Sequence, residues 1–117
     1  MRYLCLVYLV EKEMAAMSES EARACTDESL AYDEVLMKSG HFVLAHALER
    51  VESATTVRVR NAKVLTTDGP FAETKEQLGG FILIEAPDLN DAIQVASRIP
   101  LARRGSIEVR PIREIRP

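Results

Sequence analysis

The sequence predicts one α+β domain, and three observations carry that reading. Two runs, Tyr3 to Val10 and Phe81 to Ile84, are apolar at every position, which is how strands read when both of their faces are covered. Two segments repeat apolar residues at helical spacing between start and stop signals. Between them, Thr56 to Arg60 alternates strictly and is joined by two residues to a second short strand, the mark of a β-hairpin.

The first run opens the chain as a strand. Ser18 followed three residues later by Glu21 is a capping box, in which hydroxyl and carboxylate each satisfy a backbone N–H left open at a helix start. Cys25, Ser29, Tyr32 and Leu36 then share one helical face until Gly40 supplies a stop, so the first helix runs from about Ser18 to Ser39. His41 to Leu48 is a short strand-like run. The hairpin sets Thr56–Arg60 against Lys63–Thr66 across Asn61-Ala62. Such a turn places both central residues at positive φ, so Ala62 is strained or the turn is of another type. Thr67 to Gly80 reads as a long structured loop, because Asp68-Gly69-Pro70 and Gly79-Gly80 bracket a charged stretch. Asp88 caps a second helix whose inner face is Ala92, Val95, Ala96 and Ile99, and Pro100 ends it. Ser106 to Ile112 is a final strand with one polar face.

This order is the βαββαβ arrangement of a ferredoxin-like fold with an inserted β-hairpin, both helices lying on one face of an antiparallel sheet. One sheet face is then bare, although its central strands are apolar on both sides. The expected cover is another copy of the chain, giving a homodimer with the sheets face to face.

Length and composition set bounds. The 117 residues fit a single domain spanning 1–117, and 47% hydrophobic with 28% charged residues is the balance of a chain that folds. A net charge of -3 argues against nucleic acid, whose phosphates are gripped by clustered cations. Acidic residues crowd Glu11 to Glu34, and six arginines fall in the last twenty positions as either an anion-binding patch or solvated surface. Cys5 and Cys25 lack the spacing of a zinc site or a CxxC motif and read as small core residues, so no metal and no cofactor are expected. The apolar N-terminal run lacks a signal peptide's basic start and cleavage site, and no stretch approaches the ~20 apolar residues of a membrane helix. The expected location is cytoplasmic, with no membrane partner.

The segment from Thr66 through Asp68-Gly69-Pro70-Phe71 to Gly79-Gly80-Phe81 closely resembles the signature of the DGPF-domain branch of the YCII-related family. Met1-Arg2-Tyr3-Leu4, Ala54 to Arg60, and Gly105 to Pro111 fit in the same order, so the resemblance covers nearly the whole chain. It implies ferredoxin-like subunits pairing as a dimeric α/β barrel. For function it implies either enzymes acting on small aromatic compounds or an association with extracytoplasmic-function sigma factors. The enzymatic relatives resemble one another in a His of the first helix paired with an Asp before a Pro after the second. Counting back from Gly40 and Pro100 puts Ser29 and Ile99 at those positions, and neither moves a proton near neutral pH.

Catalysis would therefore need other groups. Asp68, held between a strand and Gly-Pro, either acts from a fixed turn as a general base or polar anchor, or caps its own turn. His41 and His46 titrate nearest neutrality and alternate onto opposite faces; His46, flanked by Ala45 and Ala47, is the one with room to serve a pocket. Glu73 and Lys75 in the long loop, and Arg58 and Arg60 on one strand face, are ligand-binding candidates set against an ordinary wet surface. The sequence thus suggests a dimeric small-molecule-binding protein with a pocket between sheet, hairpin and the loop after Asp68. It leaves open whether this is a cofactor-free lyase, isomerase or oxygenase-like enzyme. The alternative is a regulatory module with a sigma-factor-type protein partner.

Overall fold

Strand β1 (Arg2–Leu9) is the centre from which the rest is built, in a computed structural model that describes residues 1–116. After it come α1 (Glu11–Ala15), α2 (Glu19–Ser39), β2 (Phe42–Ala47), β3 (Thr55–Arg60), β4 (Lys63–Asp68), β5 (Gln77–Glu85), α3 (Leu89–Ser97) and β6 (Ser106–Pro111). Short 3-10 turns occupy Val51–Ser53 and Pro100–Arg103. The main sheet has the order β2-β5-β1-β6, antiparallel throughout, while β3 and β4 pair with each other as a separate ribbon. This agrees with the expected α+β arrangement and its inserted hairpin. No helix among the described residues is long and apolar enough to cross a membrane.

The register sorts the side chains into two faces. Cys5 lies opposite Ile82 on β5 and Val109 on β6, and Tyr3 lies opposite Ile84, so these residues share the face that α3 and the end of α2 cover. Tyr3, Cys5, Val7, Leu9, Ile82 and Ile84 are all buried there. From α3, Ala92, Val95 and Ala96 pack down onto them, joined by Ile99. On the other face Leu4, Leu6, Phe81 and Leu83 are only half-buried, and no helix among the described residues packs over them. The two apolar runs are therefore covered on one side only.

Local signals behave as their chemistry requires. The Ser18 hydroxyl accepts from the Glu21 N–H at 3.1 Å, the Ser18 N–H donates to Glu21 Oε1 at 3.1 Å, and Gly40 ends α2 at φ 82. Asp88 Oδ1 accepts from the Asp91 N–H at 2.8 Å. Two readings need correction. The loop after the hairpin is shorter than Thr67–Gly80, because β4 continues to Asp68 and β5 already begins at Gln77. Gly79-Gly80 is not a turn signal; a Cβ on Gly80 would stand 2.8 Å from the His46 carbonyl oxygen, so its absence lets β2 approach β5. The single turn α1, which buries nothing, precedes the capping box and carried no periodic signal.

The hairpin turn is the strained alternative. Asn61 has φ 52 and Ala62 φ 61, both in the left-handed region. The ribbon's base is stitched by the Gly69 N–H donating to the Ala54 carbonyl at 2.7 Å and by the Thr56 hydroxyl donating to the Gly69 carbonyl at 2.9 Å. Left-handed backbone costs an L-residue roughly 1–2 kcal/mol, of which glycine's greater freedom when unfolded gives back about 0.5–1. Ala62→Gly is therefore expected to slow hydrogen exchange at the Arg58 and Leu65 amides, which face each other in a hydrogen-bonded pair of the ribbon, by about two- to fivefold, a stabilisation of ~0.5–1 kcal/mol. Unchanged or faster exchange would show that the turn carries no relievable strain.

Candidate functional site

On the helix-facing side of the sheet, the neighbouring positions of β2 and β5 carry Ala45, Ala47, Gly79 and Gly80. Small side chains leave the floor low. Above it, α2 buries only Leu36, close to its C-terminal end. The Tyr32 hydroxyl donates to the Val95 carbonyl at 2.7 Å and Arg103 pairs with Glu28 at 2.5 Å, tying the middle of α2 to α3 and to the Pro100 turn. Its first half stands clear of the sheet. The gap is a cavity of about 480 Å³, roofed by Met14, Met17, Leu30 and their neighbours and closed at one end by Ile99 and Pro100.

The polar part of the wall is a stripe along α2. Cys25, Ser29 and Asp33 follow one another at intervals of four residues, one turn apart on the same face, and all three border the cavity. Thr26 uses its hydroxyl on the Ala22 carbonyl at 3.1 Å and Tyr32 uses its own on Val95. Ser29 and Asp33 have no hydrogen-bond partner among the described residues. Burial raises the Asp33 carboxyl above its usual range, and the Glu34 charge adds to the effect. Ser29 and Ile99, the positions at which the resemblance implies a His and an Asp, both border this cavity.

The expected site residues are distributed otherwise. His46 contributes main chain to the cavity wall, but its ring lies on the opposite face of the sheet, edge-on to Phe81 at a centroid distance of 5.9 Å. Asp68 ends β4 opposite Thr55, exposed, with no hydrogen bond to its carboxylate among the described residues. It borders neither this cavity nor the second one, so Asp68 and His46 do not converge. Arg58 and Arg60 are exposed on the ribbon, where Arg60 Nη1 donates to the Val59 carbonyl at 3.0 Å; Glu73 and Lys75 are exposed in the loop. A second cavity of about 580 Å³ does lie between sheet, hairpin base and loop, where a pocket was expected. Tyr8, Leu48, Pro70 and Phe71 line it, with Glu49 as its one carboxylate.

His41, on the helix side, is fully engaged. Its Nε2 donates to Asp91 Oδ2 at 2.7 Å and its Nδ1 meets the Ser39 hydroxyl at 2.6 Å, which joins the end of α2 to the start of α3. Cys5 is a core thiol, its pKa pushed up to about 11 by burial. Cys25 is not a core residue as expected, because its part of α2 faces the cavity and not the packed centre. Asp33 went unnoticed in the sequence. Its only signal was the four-residue step from Ser29.

A family model described as the YCII-related domain matches residues 1–116. An uncharacterised protein of Rhizobium meliloti (strain 1021) is 34% identical over 119 residues, covering 100% of this chain and 96% of that protein.

The raised Asp33 carboxyl has a measurable consequence. A carboxyl that holds its proton more tightly when folded lowers stability once ionised, and the penalty vanishes as pH falls below the unfolded pKa of about 3.9. Asp33→Asn is expected to melt at a higher temperature than the native chain at pH 7, with the two curves converging below about pH 4. Equal melting temperatures at every pH would mean that water reaches the carboxylate freely.

Proposed function

The chain belongs to the YCII-related domain family, and from that premise we propose that it is a small-molecule-binding protein whose ligand lies in the cavity beneath α2. One observation carries the reading: an apolar cavity of about 480 Å³ presents two polar side chains, Ser29 and Asp33, that have no hydrogen-bond partner among the described residues. Ligand sites commonly measure some 300–1,000 Å³ and combine apolar walls with a few placed polar groups. Any chemistry there draws on Asp33, the carboxylate bordering the cavity, since Ser29 and Ile99 stand where the resemblance implies a His and an Asp.

The working unit in this reading is a homodimer, two sheets meeting as an α/β barrel. Leu4, Leu6, Phe81 and Leu83 support it, being half-buried apolar residues on a sheet face that the chain leaves open. A lysine at Leu6, in the middle of β1, would put a charge into such an interface without touching the helix-covered core. Light scattering after gel filtration is expected to give two chains for the native protein and one for Leu6→Lys. A native protein of single-chain mass sinks the pairing.

The ligand itself is tested by thermal shift against a metabolite library, with Ala47→Leu as the blocked control. Ala47 sits on the cavity floor, so a leucine fills ligand space while leaving the core untouched. A compound at about 100 times its Kd adds ~2.7 kcal/mol, several degrees for a domain of this size. The expected result is a compound that shifts the native protein and not Ala47→Leu. Equal shifts in both would move the site elsewhere, to the cavity beside Phe71. Silence across the library would favour the second reading, a module for a sigma-factor-type protein partner, for which the support is the exposed valine face Val57, Val59 and Val64 of the hairpin.

A further inference from the structure

We infer that the second cavity, beside Phe71, is a binding site of its own and takes a small quaternary ammonium compound. The inference goes beyond the ligand reading above and depends on neither Asp33 nor the cavity beneath α2. The two cavities share no lining residue among the described residues. Alternation along the strands separates them: Val7, Ala47 and Gly79 border the first, while their chain neighbours Tyr8, Leu48 and Leu78 border the second. The walls of the second are tied down at three points. The Leu48 N–H donates to the Gly79 carbonyl at 2.9 Å, the Val51 N–H to Glu11 Oε2 at 3.0 Å, and Gln77 Nε2 to the Thr74 carbonyl at 2.6 Å.

The groups around this space favour positive charge. Two aromatic rings, Tyr8 and Phe71, and the Glu49 carboxylate border it, and among the described residues no lysine, arginine or histidine does. Arg50, next to Glu49 in the chain, pairs instead with Glu52 at 3.9 Å. Phe71 is 80% exposed and belongs to no part of the core, so its ring is available at the rim. An aromatic face carries negative charge density and attracts a cation, and a carboxylate beside it adds to the same field. An anion entering here would meet no counter-charge from the lining.

The kind of cation follows from the rest of the lining. A hard metal ion needs about six or more oxygen ligands, whereas Glu49 is the one carboxylate bordering the cavity among the described residues. Two of the bordering threonines already use their hydroxyls, Thr56 on the Gly69 carbonyl at 2.9 Å and Thr74 on the Glu76 carbonyl. A primary ammonium carries three N–H donors, each needing an acceptor, into walls of Leu48, Val51, Pro70 and Leu78. A quaternary ammonium has no donor to satisfy. Its charge is spread over methyl groups that suit those apolar walls, and the aromatic faces take the place of its water.

The probes are choline and 3,3-dimethylbutan-1-ol, a neutral compound of the same shape in which carbon replaces the ammonium nitrogen. Backbone amide shifts in NMR titrations report both affinity and place. Choline is expected to move the amides of Tyr8, Glu49 and Phe71 and to bind roughly tenfold more tightly than the alcohol. Phe71→Leu and Glu49→Gln change exposed side chains outside the core, so the fold is left intact. Each is expected to weaken choline by about three- to tenfold and to leave the alcohol unchanged. Ala47→Leu, which fills the other cavity, is expected to bind choline as the native protein does. An alcohol that binds as tightly as choline overturns the selection by charge. Choline that binds Phe71→Leu and Glu49→Gln at native strength, or that is lost from Ala47→Leu, overturns the assignment to this cavity. No shift at these amides with choline overturns the site outright and leaves the cavity beneath α2 to its own test.

Discussion

Much of this molecule depends on the pairing of β1 with β5, because that ladder gives a strand of alternating large apolar residues two distinct faces. The face with Cys5, Ile82 and Ile84 makes the core with α3. Continued toward Val7 and Gly80, the same face becomes the floor of the cavity. The opposite face, with Leu6 and Phe81, stays open. A slip of one residue would exchange the two faces and lose core, cavity and open surface together. The bulge between Val7 and Tyr8 falls where the close-packed part of the face gives way to the cavity.

The two helices divide the labour on that face. α3 carries Ala92, Val95 and Ala96, small enough for its backbone to come close to the sheet, and it closes the core. α2 is more than twice as long yet buries a single residue. Its exposed Leu30, Val35 and Met37 show that its apolar content is not concentrated into one packed stripe. A helix held at one end and in the middle can lie over an empty space without losing its place in the fold.

Most of the fold was legible because its signals are local. Capping residues at Ser18, Glu21 and Asp88, the stop at Gly40, strict alternation through Thr56–Arg60 and the apolar runs each work through near neighbours in the chain. The misread parts depend on contacts across the sheet. Gly79-Gly80 looks like loop punctuation until β2 is seen pressed against it, and α1 has no periodicity to announce it. For the site, the sequence supplied the general place expected of a pocket near the loop, and a cavity exists there. It did not supply the one beneath α2, which is made of absences: small residues on the floor and missing burial in the helix above. Asp33 lay in an acidic stretch and read as surface until the helix was laid over the sheet, whereas His46 was credited with a pocket that its alternation on β2 turns it away from.

The roof of the cavity is built from residues that the core does not use. Met14, Met17 and Leu30 contact the space below them but belong to no part of the buried cluster. Methionine adapts its shape readily, and substitutions at such positions escape the penalty of disturbing a close-packed interior. Descendants of this chain can therefore alter what fits beneath α2 without first gaining stability to spare. One sheet and one anchored helix would then frame cavities of different shape, with the change confined to the roof.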